Sequence, residues 1–302
     1  MTVTPAQATE AANELFGRHP GHRALHAKGL LLKGTFTATA EAAALTRAAH
    51  MQGEPMPVTA RVSNGGGDPG VPDYAQDVRG LAAKIYLPDG SRTDIVAQTA
   101  PRWPTHGPEG FVELLRAQKR PAALWKMPLF LARNPTAVKG LPENLAALKP
   151  PESYATLTYY AIHAYRFDDA EGGSRYVRYT LRPEAGDVRI SGREAKSRGA
   201  DYLRGEIRRR LEQGPIRFGL ELQIAAPGDE VNDPAVAWPK DRQRVLAGTL
   251  ELTELDTDRE QGDDVLVFDP TRVLDGIELS DDPVLLFRRA AYSDSVARRT
   301  NG

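Results

Sequence analysis

The chain is expected to be an α+β protein, an antiparallel β-barrel with surrounding helices. Segments of β character outnumber helical ones, helices are inserted among them without regular strand–helix alternation, and a tight turn joins one strand pair.

In order, "TPAQATEAANELFG" reads as a short helix, with Thr4 as N-cap, Pro5 at the first helical position and Gly17 closing it. "KGTFTAT", "VTARVSN" and "GLAAKIYLPDGSRTDIVAQ" read as strands, with a hairpin turn at Pro88-Asp89-Gly90-Ser91. A helical stretch is expected from about Glu109 to Asn134, interrupted by Pro121 and Pro128. "YATLTYYAIHAYRF" and "SRYVRYTLRP" return to strand, and "GADYLRGEIRRRLEQGP" is an amphipathic helix stopped by Gly214 and Pro215. "IRFGLELQIAAPG" and "RVLAGTLELTEL" are strands, separated by a proline-rich, acidic surface excursion from Ala226 to Lys240. In the last segment Ser280 or Asp281 caps a helix, Pro283 sits just inside it, and "VLLF" begins its apolar face.

The 302 residues carry a net charge of −1, so no broad basic field draws nucleic acid or an anionic membrane. Without cysteine there is no disulfide, thiolate metal site or cysteine nucleophile. The N-terminus lacks the basic start and apolar run of a secretion signal, and no segment has the length of a membrane span. A cytoplasmic location is expected.

Candidate chemistry is sparse. Arg288, Tyr292 and Arg299 fall on one side of the final helix, so cations flank a phenol that they could hold as an anion. Tyr202 is an internal control: Arg198 and Arg209 have the same spacing, but Glu206 at i+4 disfavours a phenolate. His19, His22 and His26 cluster, yet Pro20 and Gly21 break any helix that would align them on a metal. On "VTARVSN", Val58, Ala60 and Val62 share one face, while Arg61 and Ser63 share the other. Gly65-Gly66-Gly67 is read as a flexible turn. No Gly-x-Ser-x-Gly elbow points to a hydrolase.

Taken together, "RALHAKG", "ARVSNGGGDPGVPDYAQDVRGLAAKIY", "DIVAQTAP" and "FDPTRVLDGIELSDDPVLLFRRAAYSDSVARR" resemble the haem catalases and the shorter catalase-related peroxidases, from about residue 20 to the end. The resemblance implies a minimal haem-catalase-like fold in a single domain: an N-terminal helix at 1–19, the barrel with inserted helices at 20–256, and a wrapping segment with the proximal haem helix at 257–302. It implies a b-type haem whose iron is ligated by Tyr292, tyrosine being the known axial ligand of catalases. Arg288 would hold that tyrosine as phenolate, with His163 and Asp282 behind it as a relay. Arg23, Arg61 and Arg299 would pair with the haem propionates. His26 would be the distal acid–base catalyst, positioned by Ser63, with Phe111 packed on the haem plane.

The sequence departs from the family in three places. The distal asparagine is replaced by Gln98, one methylene longer, which is expected to impair oxidation of a second peroxide. An aromatic pair becomes Trp103-Pro104. The chain ends ten residues past Tyr292, which removes the usual reasons for an interwoven tetramer or bound NADPH and leaves a homodimer as the expected assembly. The implied activity is reduction of hydrogen peroxide or organic hydroperoxides through a ferryl intermediate, with small organic donors as reductant and weak catalase turnover. The alternatives are a hydroperoxide isomerase of the allene oxide synthase type, which carries threonine where Leu25 stands, and a non-catalytic haem-binding protein.

Overall fold

The protein is described here from a computed structural model covering residues 3–257 and 266–300, without the side chains of Ser295, Arg298, Arg299 and Thr300. Among the described residues nine strands form one antiparallel sheet: β1 (Gly29–Ala38), β2 (Met56–Asn64), β3 (Arg79–Tyr86), β4 (Arg92–Gln98), β5 (Tyr159–Asp168), β6 (Ser174–Pro183), β7 (Ile216–Ile224), β8 (Arg244–Leu255) and β9 (Ile277–Leu279). Their order is β4-β3-β2-β1-β8-β7-β6-β5-β9, and pairing of Gln98 with Tyr160 joins β4 to β5. β1 to β8 therefore close into a barrel, and β9 adds to β5 beyond that closure point.

Strand alternation decides which residues fill the barrel. Val58, Ala60 and Val62 join Leu30, Leu32 and Leu81 in the core, while Arg61 and Ser63 lie on the opposite face, as expected. Ser63, Gly80 and Gln98 pair in one register row across β2, β3 and β4. Directly paired residues share a face, so this row faces away from the apolar core.

Helices lie outside the barrel. α1 (Pro5–Phe16) starts at Thr4 with a capping box: Thr4 Oγ1 accepts from the Gln7 amide, and the Gln7 side chain accepts from the Thr4 amide. Ala11 and Ala12 bring α1 against Val112 and Leu115 of α3 (Pro108–Gln118). The short α2 (Ala40–Ala43) lies against β8. The expected helical stretch is in fact two helices, α3 and α4 (Ala123–Arg133), and a third, α5 (Pro135–Ala147), follows beyond it. Pro121 falls in the gap after α3, but Pro128 lies inside α4 without ending it. Residues 154–156 of the expected strand form a 3-10 turn, and β5 starts only at Tyr159.

α6 (Gly192–Ser197) and α7 (Tyr202–Gln213) follow, the latter ended by Gly214. The last helix, α8 (Pro283–Thr300), also meets α1. Its cap differs from expectation. Neither Ser280 nor Asp281 serves; Asp282 Oδ1 accepts from the amides of Val284 at 2.8 Å and Leu285 at 3.2 Å. Because Pro283 is the first helical residue, the capping position must be 282. No described helix is long and apolar enough to cross a membrane.

Candidate active site

Two groups of polar side chains, one from the start of the chain and one from its end, converge outside the barrel. The first is built on His26. This residue precedes β1 and is the one non-glycine among the described residues in the left-handed backbone region, at φ 56. Strain of that kind persists only when surrounding structure enforces it. Here the enforcing element is the triple glycine. The amides of His26 and Ala27 donate to the Gly65 and Gly66 carbonyls, while the Gly65 and Gly66 amides donate to Asp77 Oδ2 at 2.8 and 2.9 Å. A side chain at Gly67 would come within 2.1 Å of the Ala24 carbonyl. The segment is a bonded cradle rather than the expected flexible turn.

His26 Nδ1 lies 3.0 Å from Ser63 Oγ. Burial, then Arg61, Arg288 and Arg23, push the imidazole down to about 3, so it is neutral at physiological pH. Arg61 donates to the Ala27 carbonyl at 3.1 Å. Arg23 donates to the Leu266 carbonyl at 2.5 Å and lies 5.8 Å from the Phe268 ring centroid. Gln98 Nε2 turns to the Ala100 carbonyl at 3.3 Å. Phe111, on α3, packs on Trp103 with ring centroids 4.7 Å apart, and Trp103 Nε1 is buried without a partner among the described residues.

The second group is a continuous hydrogen-bonded line. Asp282 Oδ2 accepts from His163 Nδ1 at 2.6 Å, both side chains being buried. That bond fixes the proton on Nδ1 and leaves Nε2 to accept from Arg288 Nη1 at 3.0 Å. Burial lowers the pKa of His163, in keeping with this neutral form. Arg288 Nε donates to Tyr292 Oη at 2.8 Å, and Nη2 donates to the same oxygen. Tyr202 behaves differently: its hydroxyl donates to the Pro151 carbonyl, and burial pushes it up to about 12. Of the residues expected at the site, only Arg299 lies outside the described side chains.

Sequence reasoning missed Gly80. A Cβ there would come 2.9 Å from both the His26 ring and Ser63 Oγ. The signal was present as a glycine inside a strand, which often marks a close approach. Asp77, which pins the cradle, had no such signal.

The donor set fits a haem: a phenolic oxygen held by two guanidinium N–H groups, Arg23 and Arg61 nearby, an aromatic pair and a neutral imidazole. The catalase family model matches residues 9–302. The chain belongs to the catalase family. A catalase-related peroxidase of Mycolicibacterium paratuberculosis is 47% identical over 300 residues, spanning 99% of this chain and 95% of the relative. A catalase-related peroxidase of Synechococcus elongatus is 34% identical over 310 residues, spanning 99% and 90%. A fungal catalase crystal structure matches with a TM-score of 0.81 at 23% identity, covering 94% of this chain and 61% of its own. A bacterial catalase matches with a TM-score of 0.81 at 25% identity, covering 93% and 58%. The chain thus spans about three fifths of these solved catalases, but nearly all of the two catalase-related peroxidases.

Proposed function

We propose that the protein is a haem peroxidase of the catalase family. It reduces hydrogen peroxide or an organic hydroperoxide with a small organic donor, and has weak catalase turnover. The observation that carries this reading is the pairing of a neutral, Ser63-bonded His26 with the line Asp282–His163–Arg288–Tyr292. A b-type haem would be held by Tyr292 as phenolate at the iron and by Arg23, Arg61 and Arg299 at its propionates. Bound there, the haem would supply the iron at which the peroxide O–O bond breaks.

The protein's own groups handle the protons. His26, neutral at physiological pH, accepts a proton from the peroxide and returns it to the departing oxygen, giving water or an alcohol. Ser63 keeps the imidazole ring in place for both transfers. Two electrons and two protons from the donor complete each turnover. Gln98 is a poor partner for a second peroxide because its amide is turned to Ala100. Leu25 packs into the α1–α3 apolar cluster and sets no hydroxyl beside His26, which favours peroxide reduction over hydroperoxide isomerisation. A single domain over 1–302, a homodimer and a cytoplasmic location complete the proposal.

Steady-state donor oxidation by the haem-loaded protein tests it. His26→Ala is expected to lower the rate by about 10²–10⁴, the usual range for a general acid–base. An unchanged rate would leave a haem-binding protein without acid–base catalysis. Tyr292→Phe is expected to alter the visible absorption spectrum, and its retention would reject the ligand assignment.

A further inference from the structure

Two neighbouring helices turn their apolar sides outward. On α4 the exposed residues are Leu124, Trp125, Pro128, Leu129 and Ala132, at i, i+1, i+4, i+5 and i+8, with Arg133 at the margin. Leu124 is 88% exposed and Trp125 62%. Phe130 is the residue that turns in, joining Ala117 of α3 and Ala137 of α5. On α5 the exposed set includes Val138, Pro142, Leu145 and Ala146. A surface helix of a water-soluble protein ordinarily shows the reverse pattern, and contiguous exposed apolar side chains mark an interaction surface.

Charge identifies the partner. From Leu114 to Pro142 the chain carries six cations, Arg116, Lys119, Arg120, Lys126, Arg133 and Lys139, and no Asp or Glu. Arg116 and Arg133 sit 4.0 and 3.7 Å from Glu14 and Glu113. Among the described residues, Lys119, Arg120, Lys126 and Lys139 take part in no ion pair, and Lys126 Nζ lies 5.4 Å from the Trp125 ring centroid. A net charge of −1 for the whole chain conceals this local excess and led to the expectation of no membrane partner. We propose that the outward face of α4 and α5 docks on an anionic lipid bilayer. Leu124, Trp125 and Leu129 enter the boundary between headgroups and acyl chains, and the cations meet lipid phosphates. A two-fold interface with a second copy would set the same like charges against each other, which disfavours that occupant.

Flotation of the full chain with vesicles tests the surface independently of the catalytic reading. The protein should float with vesicles containing phosphatidylglycerol and far less with phosphatidylcholine alone, and added salt should weaken binding. Leu124→Ser/Trp125→Ser should abolish flotation. Lys119→Ala/Arg120→Ala should lower partitioning roughly 30-fold, at about 1 kcal/mol per cation. Thermal unfolding checks that each variant is folded; if the apolar variant is not, the charge variant decides alone. Absence of flotation with phosphatidylglycerol vesicles, or equal flotation of wild type and folded variants, overturns the proposal. So does a dimer in sedimentation velocity that Leu124→Ser/Trp125→Ser breaks without any vesicle binding, which assigns the face to a second copy.

Discussion

Asp282 offers two carboxylate oxygens, and each has a separate partner. Oδ1 caps α8, whereas Oδ2 holds His163. Asparagine has one acceptor oxygen to serve both. Asp282→Asn should therefore cost about 1–3 kcal/mol, the penalty for a buried donor left unsatisfied, measured by denaturant unfolding. Gly80 is under a tighter constraint, since a Cβ would intrude on the His26–Ser63 pair. Gly80→Ala should destabilise the fold by about 1–3 kcal/mol, as overpacking does. Its loss of peroxidase rate should exceed what the unfolded fraction explains, because the imidazole must move. Gln98→Asn shortens the amide that now turns to Ala100, and oxygen release from hydrogen peroxide should rise relative to donor oxidation. A fall in that ratio would contradict the role proposed for Gln98.

At the scale of elements, α1 and α8 come from opposite ends of the chain and meet each other outside the barrel. α1 is held by small residues: Ala11 and Ala12 let it approach Val112 and Leu115 of α3 closely. Leu115→Ala should destabilise by about 2–5 kcal/mol, and limited proteolysis should then cut first within α1. If cleavage began elsewhere, α1 would be bound by something other than this cluster. The contrast between α7 and α8 shows how far spacing alone reaches. Tyr202 and Tyr292 each have an arginine at i−4, yet of the two only Tyr292 accepts from its arginine. His163, brought by β5, aligns Arg288 for that bond; Tyr202 instead donates to Pro151, and Arg198 pairs with Glu194.

The whole molecule buries titratable groups that the unfolded chain exposes. His50 is buried against Phe36, its Nδ1 has no partner among the described residues, and burial pushes it from 6.5 down to about 4. The unfolded chain therefore binds the extra proton first, and stability is lost as pH falls from about 6.5 toward about 4. The shift corresponds to about 3 kcal/mol at pH 4. His26 and His163, also lowered, act in the same direction. Thermal unfolding from pH 7 to pH 4 should show a falling midpoint, and His50→Leu should flatten the curve. An equally steep curve in the variant would assign the acid sensitivity to other groups.

Local chemistry was legible in the chain alone. The period-two alternation around Arg61 and Ser63, the Thr4 and Pro5 start of α1, the i, i+4 step from Arg288 to Tyr292 and the family blocks all act over short ranges, where neighbours in sequence are neighbours in space. What needed the tertiary structure depends on distant segments meeting. The triple glycine became a cradle because Asp77 and His26 bond to it from opposite sides. Asp282 caps α8 because it precedes Pro283, but that its second oxygen holds His163 depends on β5. Gly80 proved constrained because residues 26 and 63 close over it, and Leu124, Trp125 and Leu129 proved exposed because Phe130 is the residue of α4 that turns toward α3 and α5. Spacing along a strand or helix fixes which side chains share a face; only the closing of the barrel and the docking of both chain ends on it decides what each face meets.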